Sequence, residues 1–213
     1  VTTDGCFAEY CKLPAATLWP TNLSKIDPLL AAIQEPFGNA VHACQTVNLK
    51  NKTVAVFGCG TIGLMSVIIA KGFGAARVIA VEPNEKNLRL AGEVGAAACL
   101  PLDVSRPRQP EYHADLVRRV VAAVDGRGVD VALEMSGYND SINNALASVR
   151  RGGDVLLFGI PGGSAPVQIA DYAGNVIFKG VTMHGIVGRR VFETWEHTRR
   201  LLENPAVAAN MKK

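Results

Sequence analysis

Gly58-Cys59-Gly60-Thr61-Ile62-Gly63 sits between two segments of different character. Before it runs a set of strand formers, Thr53-Val54-Ala55-Val56-Phe57; after it an apolar helical stretch covers residues 62–71. Strand, glycine turn and helix in that order are the setting in which G-x-G-x-x-G holds a dinucleotide. Gly58 permits the tight turn, Gly60 lets the backbone approach a pyrophosphate, and Gly63 lets the helix pack close to the strand. The helix start adds unpaired N–H groups and a partial positive charge, both of which favour phosphate. Glycines between a strand and a helix are also common as plain turns, so the following strand matters.

That strand, Arg77-Val78-Ile79-Ala80-Val81, ends in Glu82, nineteen residues after Gly63. An acid about 20 residues on is what hydrogen-bonds the adenosine ribose. The competing reading makes Glu82 a solvated acid at a helix entry, because Asn84 and Glu85 look like a cap. A carboxylate here accepts from a free 2′-hydroxyl and repels a 2′-phosphate, which favours NAD over NADP. Lys86 and Arg89 lie on the following helix rather than directly after the acid.

Strands and helices continue to alternate to about residue 186. Helices are expected over residues 85–94, 114–124 and 140–149, and strands over 98–100, 129–133, 154–159 and 181–186. Residues 151–153 read as a loop and residues 105–110 as a proline-rich surface loop. This order predicts an α/β, Rossmann-type doubly wound parallel sheet of six strands. Its ligand crevice should lie at the strand C-terminal ends, near Gly58, Glu82, residues 134–137 and 158–160, and Ile186 with Val187. Outside the alternation, residues 6–13 read as a strand and 14–28 as irregular. Residues 29–47 read as helical, kinked or divided at Pro36. Residues 192–202 read as a helix followed by a tail containing Pro205.

Bulk properties narrow the classes. With 213 residues, 48% hydrophobic and 19% charged, the chain suits one domain, or one domain plus part of another. A net charge of +3 with arginines in scattered pairs argues against nucleic acid. Five cysteines without a C-x-x-C give neither a disulfide framework nor a zinc knuckle and suit the cytoplasm. No 18-residue apolar run suggests a membrane span. The chain starts at Val1 in mid-pattern and reads as a piece of a longer protein.

The chain resembles the zinc-dependent medium-chain dehydrogenases. The matching residues are Asp4-Gly5-Cys6-Phe7-Ala8-Glu9-Tyr10, Glu35-Pro36-Phe37-Gly38-Asn39-Ala40-Val41 and the glycine turn. Further matches are Leu133-Glu134-Met135-Ser136-Gly137, Phe158-Gly159-Ile160-Pro161 and Ile177-Phe178-Lys179-Gly180. Gly185-Ile186-Val187-Gly188-Arg189 with Phe192-Glu193-Thr194-Trp195 is similar to the threonine-oxidising members in particular. The resemblance implies a remnant of a GroES-like catalytic domain and linking helix at 1–38, an NAD-binding domain at 39–188, and a C-terminal helix at 189–213. It implies NAD as cofactor, zinc as Lewis acid with its main ligands outside this chain, and oxidation of the 3-hydroxyl of L-threonine to 2-amino-3-oxobutanoate.

For the cofactor the resemblance points to Ile62 beside Gly58, Gly60, Thr61 and Gly63, to Glu82, to Phe158, Gly159 and Ile160, and to Ile186 and Val187. Members often carry a basic residue where Asn87 stands, and Lys86 is the nearest substitute. Glu35 corresponds to an acid beside the zinc; as a residue alone it could equally be an acid stabilising a helix N-terminus. His42 reads as a packed helix residue rather than a ligand. The resemblance further implies a homodimer or homotetramer joined at the 181–186 edge strand. A polyol or 2,3-butanediol dehydrogenase, or a catalytically silent NAD-binding module, remain open at this point.

Overall fold

The computed structural model describes residues 5–105, 111–163 and 166–213. The strand formers before the glycine turn make β1 (Thr53–Phe57), and the turn opens helix α3 (Thr61–Gly72). Before them stand α1 (Pro28–Ala31) and α2 (Gln34–Gln45). After them come β2 (Arg77–Glu82), α4 (Glu85–Glu93), β3 (Ala98–Pro101), α5 (Ala114–Ala122) and β4 (Val129–Glu134). The chain continues through α6 (Asn139–Ser148), β5 (Val149–Leu157), β6 (Thr182–Gly185), α7 (Glu193–Leu202) and α8 (Pro205–Met211).

The six strands form one parallel sheet in the order β3-β2-β1-β4-β5-β6. The order reverses beside β1, so the switch point falls at the glycine turn. Alternation along the strands separates two apolar cores. Val54, Val56, Val78, Ala80, Leu133 and Leu156 pack with α2, α3, α4, α7 and α8. Ala55, Phe57, Ile79, Val81, Ala132 and Val155 pack with α5 and α6. Both faces of β1, β2 and β4 are covered, which explains why these strands are almost continuously apolar.

The structure corrects four expectations. Residues 6–13 are irregular and exposed, not a strand. Among the described residues no strand pairs with them, and an isolated strand leaves its backbone groups without partners. Residues 151–153 belong to β5 as a bulge: two steps along β4, Val129 to Val131, match five along β5, Val149 to Asp154. Gly153 fits that bulge because a side chain there would meet Val149 Cγ2 at 2.5 Å and the Asp130 carbonyl oxygen at 2.8 Å. The same strand stops at Leu157, since the N–H groups of Phe158 and Gly159 both turn to the carbonyl oxygen of Glu134, each at 3.0 Å. The C-terminal tail is helical: Asn204 accepts from Ala206 N–H at 2.9 Å, and Pro205 occupies the first helical position, where its missing N–H costs nothing. Residues 29–47 are divided as expected, with the break just before Pro36. Residues 106–110 of the proline-rich stretch lie outside the described residues.

At the strand N-terminal ends, Asp130 ties three strands together. Its Oδ2 accepts from Thr53 N–H at 2.8 Å and from the Thr53 hydroxyl at 2.9 Å, and its Oδ1 accepts from Arg150 Nε at 2.6 Å. Burial pushes this carboxyl up, but Thr53 and the Arg150 guanidinium together outweigh it and hold it below its ordinary 3.8. A depressed folded-state value stabilises the fold above 3.8, and that stabilisation disappears as pH falls through the folded value. Asp130→Asn should therefore flatten the acid limb of the melting temperature plotted against pH. Equal slopes in wild type and variant below pH 3.8 would refute the assignment.

At the other end of the sheet's last crossover, Lys179 Nζ donates to the carbonyl oxygens of Leu146, Ala147 and Val149 at 2.9, 2.7 and 3.0 Å. Burial lowers this ammonium to about 8. The nearby Asp171 charge works the other way and favours the charged form.

Candidate functional site

The strand C-terminal ends meet along one edge of the sheet. Gly58 takes φ +93° and donates its N–H to the Val81 carbonyl oxygen at 2.9 Å. A Cβ on Gly58 would also lie 2.9 Å from Ser136 Cβ, so the ends of β1 and β4 touch. A Cβ on Gly63 would stand 1.9 Å from the Gly58 carbonyl oxygen; only glycine lets α3 sit this close to its strand. Gly60 differs from both. Its φ is −64° and nothing lies within 4 Å of where its Cβ would point. Gly60 also caps α3 without a side chain, which leaves the first turn's donors at the crevice edge.

Glu82 is 7% exposed and turns its carboxylate onto this loop. Oε2 accepts from Cys59 N–H at 2.6 Å and Oε1 from Asn84 N–H at 3.0 Å. It is thus not the solvated acid of the competing reading; Asn84 is the cap of α4, accepting from Asn87 N–H at 3.1 Å. Glu82 lines a cavity of about 80 Å³ together with Gly58, Pro83, Leu102, Ser136 and Asn144. The Cys59 thiol is pushed up to about 12 by burial and by Glu82, so it stays protonated and is no nucleophile. Lys86 is exposed on α4 and Asn87 is half-buried beside it.

The other end of the crevice is built on Glu134, which is 1% exposed. Its Oε1 accepts from Ser136 N–H at 2.9 Å, the Ser136 hydroxyl at 2.6 Å and the Ser141 hydroxyl at 2.8 Å. Gly137 N–H bridges both carboxylate oxygens at 3.1 Å. Gly137 takes φ +78°, and Gly159 packs so closely that its Cβ would lie 2.0 Å from Gly137 N. Ile160 projects beyond them, exposed, beside a cavity of about 320 Å³ shared with Ser136, Tyr138 and Pro161. Ile186 joins this end through its N–H to the Leu157 carbonyl oxygen at 3.0 Å, and Val187 is exposed next to it.

The fingerprint, Glu82, residues 158–160, Ile186 and Val187 therefore share one edge. Glu35 lies in the first turn of α2, joined to that edge through an ion pair with Arg189, which follows Val187 and Gly188. His42 is buried, and its Nδ1 donates to the Gly188 carbonyl oxygen at 3.0 Å, a packing role rather than ligation. Sequence reasoning treated Glu134 only as a strand end and Arg189 only as a matching residue. An acid closing an apolar strand just before Ser-Gly was the available signal for the first. Nothing local signalled the second, whose partner is 154 positions away. Among the described residues, no group of three or more His, Cys, Asp or Glu could hold a metal ion. Among them, too, no helix is long and apolar enough to cross a membrane.

A parallel sheet in this order, with a glycine turn and an acid at its switch point, defines a Rossmann-type domain with a crevice of the nucleotide-binding form. Residues 61–204 match the family described as zinc-binding dehydrogenase, and the chain belongs to that family. It is 42% identical over 207 residues to the L-threonine 3-dehydrogenase of Bacillus licheniformis, a match covering 97% of this chain and 56% of that protein. Among solved structures it is similar to 2R,3R-butanediol dehydrogenase from Bacillus subtilis, with TM-score 0.67, 29% identity, and coverage of 81% of this chain and 45% of that one. It is also similar to a zinc-binding dehydrogenase of Sinorhizobium meliloti bound to NADP, with TM-score 0.71, 28% identity, and coverage of 85% and 50%. The chain spans about half the length of these relatives.

Proposed function

We propose that this chain supplies the NAD-binding part of an enzyme that oxidises the 3-hydroxyl of L-threonine to 2-amino-3-oxobutanoate. The observation that carries the cofactor reading is the contrast between Gly63, which has no room for a side chain, and Gly60, which has open space beside the first turn of α3. The open side of Gly60 suits a diphosphate approaching the backbone amides. Each oxygen of the Glu82 carboxylate accepts one N–H from the loop and retains a second acceptor site for a ribose hydroxyl. Gly58, Thr61 and Ile62 complete the diphosphate loop, with Lys86 and Asn87 at the adenosine side. Phe158, Gly159, Ile160, Ile186 and Val187 line the nicotinamide side.

The cofactor, when bound, would supply a hydride acceptor for C3 of the substrate, and the hydroxyl proton would leave to a base. Glu35, in the first turn of α2, is assigned the role of passing that proton on. Among the described residues no side-chain cluster fits a zinc site. The family's metal would be held by residues other than these. The threonine assignment is supported by the Bacillus licheniformis relative. The likeness to the butanediol enzyme favours a second reading, a diol or polyol substrate. A cytoplasmic homodimer or homotetramer would form through β6, an edge strand with Thr182 and Met183 exposed. A monomer by light scattering would count against that assembly.

The cofactor test is a fluorescence titration with NADH and NADPH. NADH should bind roughly tenfold or more tightly than NADPH, because Glu82 repels a 2′-phosphate. Glu82→Gln should weaken NADH and narrow the gap. Equal or tighter NADPH binding by the wild type sinks the choice of NAD. The substrate test is threonine-dependent NADH formation by the complete enzyme, with 2,3-butanediol and sorbitol as competitors; faster turnover of either competitor overturns threonine.

A further inference from the structure

The geometry points to Arg189 as the positioning residue for the Glu35 carboxylate. This rests on the reading of Glu35 as the acid of the reaction. Glu35 has a side chain 63% exposed, and a free glutamate at a helix start samples several rotamers. Arg189 removes that freedom. Its Nη2 donates to Glu35 Oε1, and its Nη1 donates to the backbone carbonyl oxygen of the same residue at 3.3 Å. Two donors of one planar group thereby fix the carboxylate relative to its own backbone.

The arginine is itself held. Its side chain is only 19% exposed, and the guanidinium carbon lies 5.1 Å from the centre of the Trp195 ring. Trp195 stacks on Trp19 at 5.9 Å with 21° between planes. These are the chain's two tryptophans. The turn carrying Arg189 is anchored on both sides. His42 Nδ1 donates to the Gly188 carbonyl oxygen at 3.0 Å, and Arg190 N–H and Gln45 Nε2 donate to Thr194 Oγ1 at 3.0 and 3.1 Å. Those contacts already join α2 to α7. An ion pair to a largely exposed carboxylate adds little stability to them. Its consequence is the direction in which Glu35 points.

The test takes Arg189→Ala, Arg189→Lys and Glu35→Gln through two readouts. In the full chain, NMR couplings of labelled glutamate report the Glu35 rotamer, and tryptophan emission reports the Trp19–Trp195 stack. Wild type should show one rotamer and Arg189→Ala an average. Arg189→Lys should restore the rotamer only in part, because an ammonium cannot bridge the carboxylate and the carbonyl as a fork. In the complete enzyme, Arg189→Ala should lower kcat roughly 10- to 100-fold with the KM for NAD unchanged, the expected consequence of a misplaced group. One fixed rotamer in every variant overturns the proposal. So does a kcat lost in Glu35→Gln but kept in Arg189→Ala, and this outcome leaves the reading of Glu35 standing. Full kcat in Glu35→Gln instead strikes that reading, and the positioning role falls with it.

Discussion

Gly63→Ala and Gly60→Ala should part company: the first loses fold stability and cofactor together, the second loses cofactor alone. A methyl group on Gly63 would stand 1.9 Å from the Gly58 carbonyl oxygen and 3.7 Å from Val56 Cγ1. The obstacle is backbone, which cannot rotate aside as a side chain would. The first turn of α3 must move away from β1 by more than an ångström. Overpacking of this kind costs about 3 kcal/mol, which for a chain of this size lowers the melting temperature by roughly 6–12 °C. The displaced turn carries the amides that would face the diphosphate. Losing two hydrogen bonds to a charged group is worth about 3 kcal/mol or more, so NADH affinity should fall at least about 100-fold. Gly60 has φ −64°, which alanine adopts freely, and its added methyl would meet no protein atom within 4 Å. Gly60→Ala should therefore melt within about 2 °C of the wild type. Its methyl nevertheless occupies the space assigned to the diphosphate, and NADH affinity should fall about tenfold or more. Thermal melts and NADH titrations of the two variants check both halves. Wild-type affinity in Gly60→Ala would move the diphosphate away from this loop.

The fold was legible because its determinants are local. β1 begins and ends where the run Thr53-Val54-Ala55-Val56-Phe57 does, and β2 closes on Glu82, since β-branched runs bounded by glycine or by a cap leave little choice of register. The edges of that legibility are equally physical. Residues 6–13 read as a strand, but pairing depends on a neighbour that local sequence cannot supply. Pro205 reads as part of a tail from sequence, yet at the first helical position it begins a helix. Gly152 and Gly153 looked like a loop, yet β5 runs through them as a bulge against Asp130. Of the candidate site, the glycine turn and Glu82 could be read from spacing alone. The joining of Glu35 to Arg189 could not, because it links α2 to the turn after β6, 154 positions away in sequence.

Glu134→Ala should be the most damaging single side-chain truncation at the crevice. The carboxylate is 1% exposed and receives Ser136 N–H, Gly137 N–H and the hydroxyls of Ser136 and Ser141. Truncation leaves those donors facing a dry space. Two of them are backbone amides in a tightly packed turn, where Gly137 is wedged against Ile160 and Gly159. Breaking a buried charged centre by removing one side costs about 3–5 kcal/mol, which lowers the melting temperature by roughly 6–20 °C here. The loss should also be directional. Glu134 holds the turn after β4, and its backbone carbonyl receives Phe158 and Gly159 from the end of β5. These are the residues assigned to the nicotinamide side, whereas the diphosphate loop is held by Glu82 from the other side. Adenosine diphosphate ribose, which lacks the nicotinamide ring, should thus lose less affinity than NADH in Glu134→Ala. Glu134→Gln keeps the shape and one acceptor oxygen but sets an amide donor against Gly137 N–H, so it should fall between wild type and alanine on both readouts. A melting temperature within about 2 °C of the wild type for Glu134→Ala would show that water or a rearranged turn satisfies the orphaned donors. Equal losses for NADH and adenosine diphosphate ribose would place the nicotinamide elsewhere than on the Gly137–Ile160 side.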